Sequence, residues 1–312
     1  MSLETLDLDW DSFNLHDDFS NMDNRRKSCD SQQIPQSTDI TISTQTLISF
    51  FNQSFALKEL FWKLPIIPYH SEEEGIIKKQ IKLTSFSKED VHKIKKKVEE
   101  ENMISTHVIS SVKDSTFKHV QKINVGLCKK DVLNTSLKEK GAFYNCFALI
   151  VRIKEDNVFK EIHMKLFNTG KVETPGIKQK KTLLYSLNIL QNILQSLLIA
   201  PLYFSPDDIT TVLINSNFNC GYYIHREKLY NILRKTYNII SLYDPCSYPG
   251  IQCKFYYNDK HTIQNGICTC KKRCNKKGKG SGEGECSEIS FMIFRTGSVL
   301  IVGNCNETVL HI

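Results

Sequence analysis

Four cysteines near the carboxyl end carry the spacing Cys268-x-Cys270-x3-Cys274-x11-Cys286, amid many lysines and glycines. Four thiolates in one loop can hold a tetrahedral zinc ion and staple a segment that has no core of its own. The C-x-C start departs from the usual C-x2-C pair, so a flexible basic loop with free thiols, or a chance disulfide, stays open beside zinc. A second group of residues occurs twice. Phe167-Asn168-Thr169-Gly170-Lys171-Val172 and Phe294-Arg295-Thr296-Gly297-Ser298-Val299 share the pattern F-x-T-G-x-V, and each copy has a glycine nine residues after its Phe, Gly176 and Gly303. A three-residue hairpin loop takes a type I turn followed by a residue at positive φ, where glycine fits. The chemistry offered is recognition, through a paired display of aromatic, hydroxyl and basic groups, rather than bond making.

The elements that must position these residues come in two series of strand, helix, strands and hairpin. In the first, 40–48 reads as a strand, 51–64 as a helix through Leu57, Leu60, Phe61 and Leu64, and 76–83 as a strand. Ser87-Lys88-Glu89-Asp90 is a capping box opening a charged helix to about residue 101. A strand over 146–153 follows, then a hairpin from 160–167 and 171–174. An amphipathic helix over 180–198 runs through Leu183, Leu187, Leu190, Leu194 and Leu197. In the second series, 209–215 and 251–257 read as strands, 226–235 as a helix, and 289–294 with 298–302 as a hairpin. Repetition at this level constrains the fold before any other feature does.

Side chains alternate along a strand, so each hairpin has an inner and an outer face. Ile162, Met164, Leu166 and Val172 share the inner face of the first; His163, Lys165, Phe167, Lys171, Glu173 and Pro175 share the outer. In the second, Ile289, Phe291, Ile293, Val299 and Ile301 face inward, while Ser290, Met292, Phe294, Ser298, Leu300 and Val302 face outward. An outer face that mixes Phe, Met and Leu with lysines and hydroxyls is odd for a solvated surface and suits an interface. A sandwich burying both faces is the competing arrangement, although lysines and serines seldom line a core.

The net charge of +7 conceals an asymmetry. Residues 1–36 carry eight acids and three bases, leaving a strongly basic body that suits a polyanionic partner. That first segment shows no sustained period and reads as a disordered acidic tail. No apolar run is long enough to cross a bilayer, and the amino terminus lacks the pattern of a secretory signal. An intracellular protein with reduced thiols is expected.

The two hairpins resemble the paired I-F-x-S-G-K-x-V-x-T-G segments of the TATA-box-binding protein family. Tyr248-Pro249-Gly250-Ile251, followed by Lys254, resembles its F-P-G-L-I-Y-R stretch, and Leu149-Ile150-Val151-Arg152-Ile153 resembles V-I-M-R-I. Phe143-Tyr144-Asn145-Cys146 and Lys254-Phe255-Tyr256-Tyr257-Asn258 look most like divergent homologues encoded by large DNA viruses. The resemblance runs loosely over 39–312 and is sharp around 141–178 and 246–303.

The resemblance implies an α+β fold: a pseudo-two-fold saddle whose curved antiparallel sheet lies under DNA, with helices on the convex face. It divides the chain into the tail, a first repeat over 37–200 with an insertion at about 62–140, and a second repeat over 201–312. The second repeat carries the Cys-rich insertion at about 259–287. Arg152 precedes Phe167 by 15 residues, whereas Lys254 precedes Phe294 by 40, which locates that insertion. The chain stops at Ile312, where the first repeat would begin its long helix. This fits either a truncated chain or a second repeat lacking part of its convex layer.

By the same resemblance Phe167 and Phe294 are DNA-wedging phenylalanines, and Tyr248 is the partner wedge of the second repeat. The first-repeat partner is left between Phe143 and Phe147. Arg152, Lys171 and Lys254 match phosphate contacts, and Lys165 lies on the same outer face. Ser298 stands where a second lysine occurs, and Thr169 and Thr296 replace the loop serines. Leu300 and Val302 complete the groove-facing set. The asparagines that read the centre of the family's site align loosely with Asp39 and Ile209, so base preference stays open.

No P-loop, H-E-x-x-H or G-x-S-x-G occurs, and an enzyme is not expected. The expected function is that of a transcription initiation factor binding and bending A·T-rich promoter DNA through the minor groove. Its expected partners are double-stranded DNA and transcription factors or RNA polymerase subunits, in the nucleus or a cytoplasmic viral factory. The alternative is a module of the same fold that recruits transcription proteins without touching DNA.

Overall fold

The computed structural model describes residues 35–100, 106–113, 118–133 and 146–312. The tail expected over 1–36 falls almost wholly outside them, as does Phe143. Strand β1 (Thr41–Phe50), helix α1 (Leu57–Lys63) and strand β2 (Gly75–Ser85) open the first half. Helix α2 (Lys88–Glu100), strands β3 (Thr106–Lys113) and β4 (Lys118–Gly126) and helix α3 (Lys129–Leu133) follow. Strands β5 (Cys146–Glu155), β6 (Val158–Phe167) and β7 (Lys171–Ile177) lead into helix α4 (Lys180–Gln195). The second half has strand β8 (Thr210–Asn219), helix α5 (Arg226–Lys235) and strands β9 (Ile240–Leu242) and β10 (Ile251–Tyr257). Strands β11 (Ser287–Ile293) and β12 (Ser298–Gly303) and the short helix α6 (Glu307–Leu310) complete it.

The twelve strands of the described residues join one antiparallel sheet in the order β3-β4-β2-β5-β6-β7-β1-β8-β12-β11-β10-β9. Outward from the central β1–β8 pair, one side runs β1, β7, β6, β5, β2 and the other β8, β12, β11, β10, β9. Taken in chain order these are the same five positions, so the repeat seen in the letters is a repeat of topology. It extends to single hydrogen bonds. Phe51 N–H donates to Gly170 O and Phe55 N–H to Asn168 O; Cys220 N–H donates to Gly297 O and Ile224 N–H to Arg295 O, all at 2.8–2.9 Å.

The helix expected over 51–64 begins only at Leu57, because Phe51 bridges to Phe204 and Phe55 is tied to the first hairpin loop. The Ser87 cap expected at 87–90 forms, with Asp90 N–H donating to Ser87 Oγ at 3.1 Å. Of the segment 62–140, β2 holds the place in the first half that β9 holds in the second; β3 and β4 extend the sheet beyond it.

One face of the sheet carries α1, α4 and α5. Leu183, Leu187, Leu190 and Leu194 of α4 are fully buried against Ile162, Met164, Leu166 and Val172, the inner residues of the first hairpin. Each such leucine contributes about 2 kcal/mol of burial free energy. In the second half α5 packs Leu229 and Leu233 near Ile251, Ile293 and Val299. There Phe291 and Ile301 stay half-buried, and a cavity of about 290 Å³ remains beside them, lined also by Phe218, Val309 and Leu310. Among the described residues no helix is long and apolar enough to cross a membrane.

Candidate nucleic-acid interface

The other face of the sheet gathers most of the residues singled out in the sequence. Gly170 and Gly297 both sit at φ +85° at the hairpin tips, and a Cβ on either would meet backbone carbonyl oxygen, of Gln53 and Phe51 or of Tyr222. The two tips are thereby locked against the segments that follow β1 and β8. Phe167 and Phe294 emerge half-buried just before the turns, with Thr169 and Thr296 exposed in them. The matched glycines Gly176 and Gly303 do different work: Gly176 takes φ +78° with open space around it, whereas Gly303 packs against Ile289.

In the second half Tyr248 and Phe294 form a ring pair, centroids 5.9 Å apart and planes at 57°. Gly250 makes that possible, since an added Cβ would lie 3.1 Å from a ring carbon of each. Burial pushes the Tyr248 hydroxyl pKa up, so the ring enters the pair as a neutral aromatic. In the first half Cys146 lies opposite Phe167 on the ladder, and the Lys171 ammonium sits 4.8 Å from the Phe167 ring centroid. Phe147 is no wedge: it points to the inner face, fully buried and edge-on to Phe61 at 6.2 Å.

The middle of this face was not anticipated. Asn215 and Asn217 of β8 donate through Nδ2 to Thr44 Oγ1 at 3.0 Å and Ser43 Oγ at 2.6 Å on β1, and Asn219 to Ser298 Oγ at 3.2 Å. Leu300 lies opposite Asn217 and Val302 opposite Asn215, both half-buried on the same face. The alternation of asparagine at 215, 217 and 219 in a strand was the available signal. Asp39 and Ile209, aligned with the central positions in the sequence, lie outside β1 and β8.

The basic residues are more constrained than their letters suggest. Lys165 Nζ lies 2.8 Å from Glu173 Oε1, and Lys171 Nζ 3.6 Å from Glu173 Oε2. Lys254 Nζ bridges Glu288 Oε1 at 2.5 Å and Ser290 Oγ at 3.0 Å. Arg152 corrects the expectation of a phosphate contact. It is 6% exposed, and its guanidinium donates to the carbonyls of Glu73 at 2.9 Å, Tyr69 at 2.7 Å and Ser71. Loop 66–73 and the start of α3 roof this part of the face, where Ile77, Cys128 and Ile150 cluster with Ile67 and Tyr69. Lys78 to Asp131 at 2.6 Å and Lys129 N–H to Glu161 at 2.9 Å pin the roof down. The surface left open in the first half is therefore the hairpin-tip end.

The four loop cysteines come together. Their sulfurs all lie within 4.8 Å of one another, with Cys270 3.4 Å and Cys268 3.6 Å from Cys286. A tetrahedral ion with metal–sulfur bonds near 2.3 Å needs sulfurs about 3.8 Å apart, so this set fits one. N–H groups aim at the sulfurs: Gly284 at Cys270 and Lys276 at Cys274, both at 3.4 Å, and Asn258 Nδ2 at Cys286 at 3.7 Å. Such donors stabilise thiolate. His261 Nε2 stands 3.7 Å from Cys270 Sγ, beside the set rather than in it.

No family model and no curated protein matches this chain. Among solved structures it is similar to Methanococcus jannaschii TBP, with 11% identity and a TM-score of 0.40 over 88% of this chain and 92% of that one.

Proposed function

We propose that the outer face of the sheet binds A·T-rich double-stranded DNA in the minor groove and bends it, as the resemblance to the TATA-box-binding protein family implies. The observation that carries this reading is the Tyr248–Phe294 pair held at a hairpin tip by Gly250. Apolar wedges of this kind partly unstack a base step, and the cost is offset because bent DNA wraps more of the protein surface. Between the two tips, Asn215, Asn217 and Thr44 offer donors and acceptors to a groove that distinguishes A·T from G·C and little else. Deformable TA steps would then be preferred. In this reading the sheet is a saddle with its helices on the convex side, and the chain is a binding protein rather than an enzyme. It would serve transcription initiation beside transcription factors or RNA polymerase subunits, in the nucleus or a cytoplasmic viral factory. Zinc is the ion assigned to Cys268, Cys270, Cys274 and Cys286, as a staple for their loop.

A second reading has one specific observation in its favour. Glu173 and Glu288 engage three of the lysines that would meet phosphate. A face whose cations are matched internally suits a module of the same fold that recruits transcription proteins without binding DNA itself. Bending of an A·T-rich duplex separates the two readings.

A further inference from the structure

The two halves close the same hairpin in opposite ways. Between β5 and β6 the chain turns through Asp156 and Asn157, both at positive φ, the economical two-residue connection. Between β10 and β11 it runs from 258 to 286 and carries the cysteine set. This loop has little apolar anchorage: Ile263 is 71% exposed and Cys286 is its one buried apolar side chain. What orders it is the clustered sulfurs together with hydrogen bonds across the loop, Asp259 N–H to Gly280 O at 2.8 Å and Gly278 N–H to Cys286 O at 2.9 Å among them.

The loop returns to the outer face. Lys276 Nζ stands 4.7 Å from the ring centroid of Tyr256. Tyr256 pairs with Glu288 and shares its face with Lys254, two residues away along β10. From there the loop presents Lys271, Lys272, Arg273, Lys277 and Lys279, all exposed. Of its three acids, Asp259, Glu283 and Glu285, Glu283 accepts the backbone N–H groups of Lys271 and Lys272. At the matching end of the first half stands an Asp156-Asn157 turn, and Glu155 beside it bonds Lys160 and Thr182.

We propose that the cysteine-clipped loop is a second DNA-backbone contact, present in one half only, which fixes the direction in which the protein lies on its site. The proposal rests on the DNA-binding reading above. A pseudo-two-fold face meeting the degenerate minor-groove pattern has little means of telling one orientation from the other. A basic loop at one end supplies that means where the two flanks differ, because its phosphate contacts depend on the sequence-dependent backbone path and groove width of the flank it meets. Since the sulfur cluster ties 268–274 to 286 beneath these cations, the contact depends on the metal that the cluster would hold.

The test uses the full chain and a duplex with one A·T-rich site between unlike flanks. Lys271→Ala, Lys272→Ala and Arg273→Ala together remove three cations and leave every cysteine in place. The triple variant should keep about one zinc per chain and the parent's bending. It should bind on the order of ten-fold more weakly at low salt, with a salt slope smaller by about 3. Hydroxyl-radical footprints should show one flank losing protection and the protein occupying both orientations. Cys270→Ser with Cys274→Ser should lose the metal and reproduce the same footprint. Unchanged affinity, slope and footprint in the triple variant would overturn the loop's role while leaving the DNA reading intact. A parent that binds no duplex would overturn both.

Discussion

Lys165 and Glu173 face each other across the first hairpin, Nζ to Oε1 at 2.8 Å, where the second hairpin has Met292 opposite Leu300. The two pairs hold the same positions in the repeat, so one half of the face carries an ion pair where the other is apolar. An ion pair on a surface that must lose its water is a cost to binding unless a partner replaces the lost hydration.

Glu173→Val removes the carboxylate that meets both Lys165 and Lys171. It should tighten binding to an A·T-rich duplex by about 1–2 kcal/mol. Isotherms for variant and parent at one salt concentration check this. Unchanged or weaker binding would mean that the Glu173 carboxylate does not oppose DNA at this position.

The turn glycines test the repeat. Gly170→Ala and Gly297→Ala each force a side chain into φ +85° and against backbone oxygen. Each should cost more than about 1 kcal/mol in denaturant unfolding, and by similar amounts. Gly176→Ala should be milder, since nothing lies within 4 Å of its Cβ position. Equal costs at all three would contradict the locking of the tips.

Thiol reactivity tests the roof over the first half. Burial, with the hydrogen bond to Asp131, pushes the Cys128 thiol up to about 11, and burial takes Cys253 to about 11 as well. Cys246 is exposed. Because thiolate is the nucleophile, alkylation at pH 8 should label Cys246 rapidly and Cys128 and Cys253 slowly. Rapid labelling of Cys128 would show that α3 does not cover Ile77 and Ile150.

Much of this architecture was legible because period and punctuation agree. Arg226–Lys235 and Ile251–Tyr257 fall where the apolar spacing put them, and the glycines at 170 and 297 mark real turns. The errors have physical causes. Arg152 lies on the expected face, but a loop more than 75 residues earlier in the chain supplies the carbonyls that consume it. Phe147 is one residue from the position that would point it outward, and period two turns that single step into the core. Met292 points outward as read, yet neighbours leave it 7% exposed. Asn215 and Asn217 gain meaning only when β1 is laid beside β8, a pairing no local pattern specifies.

The most direct measurement is the bend angle of a doubly labelled A·T-rich duplex, by energy transfer, with parent and with Phe167→Ala, Phe294→Ala protein. Both rings are half-buried on the outer face, so the double variant should keep the parent's circular dichroism and unfolding midpoint closely. The parent should bend the duplex strongly, and the variant should bind it with much of the bend lost. Equal bending by both proteins, or no bending by a parent that is folded and metal-loaded, would contradict the assignment of this face to DNA.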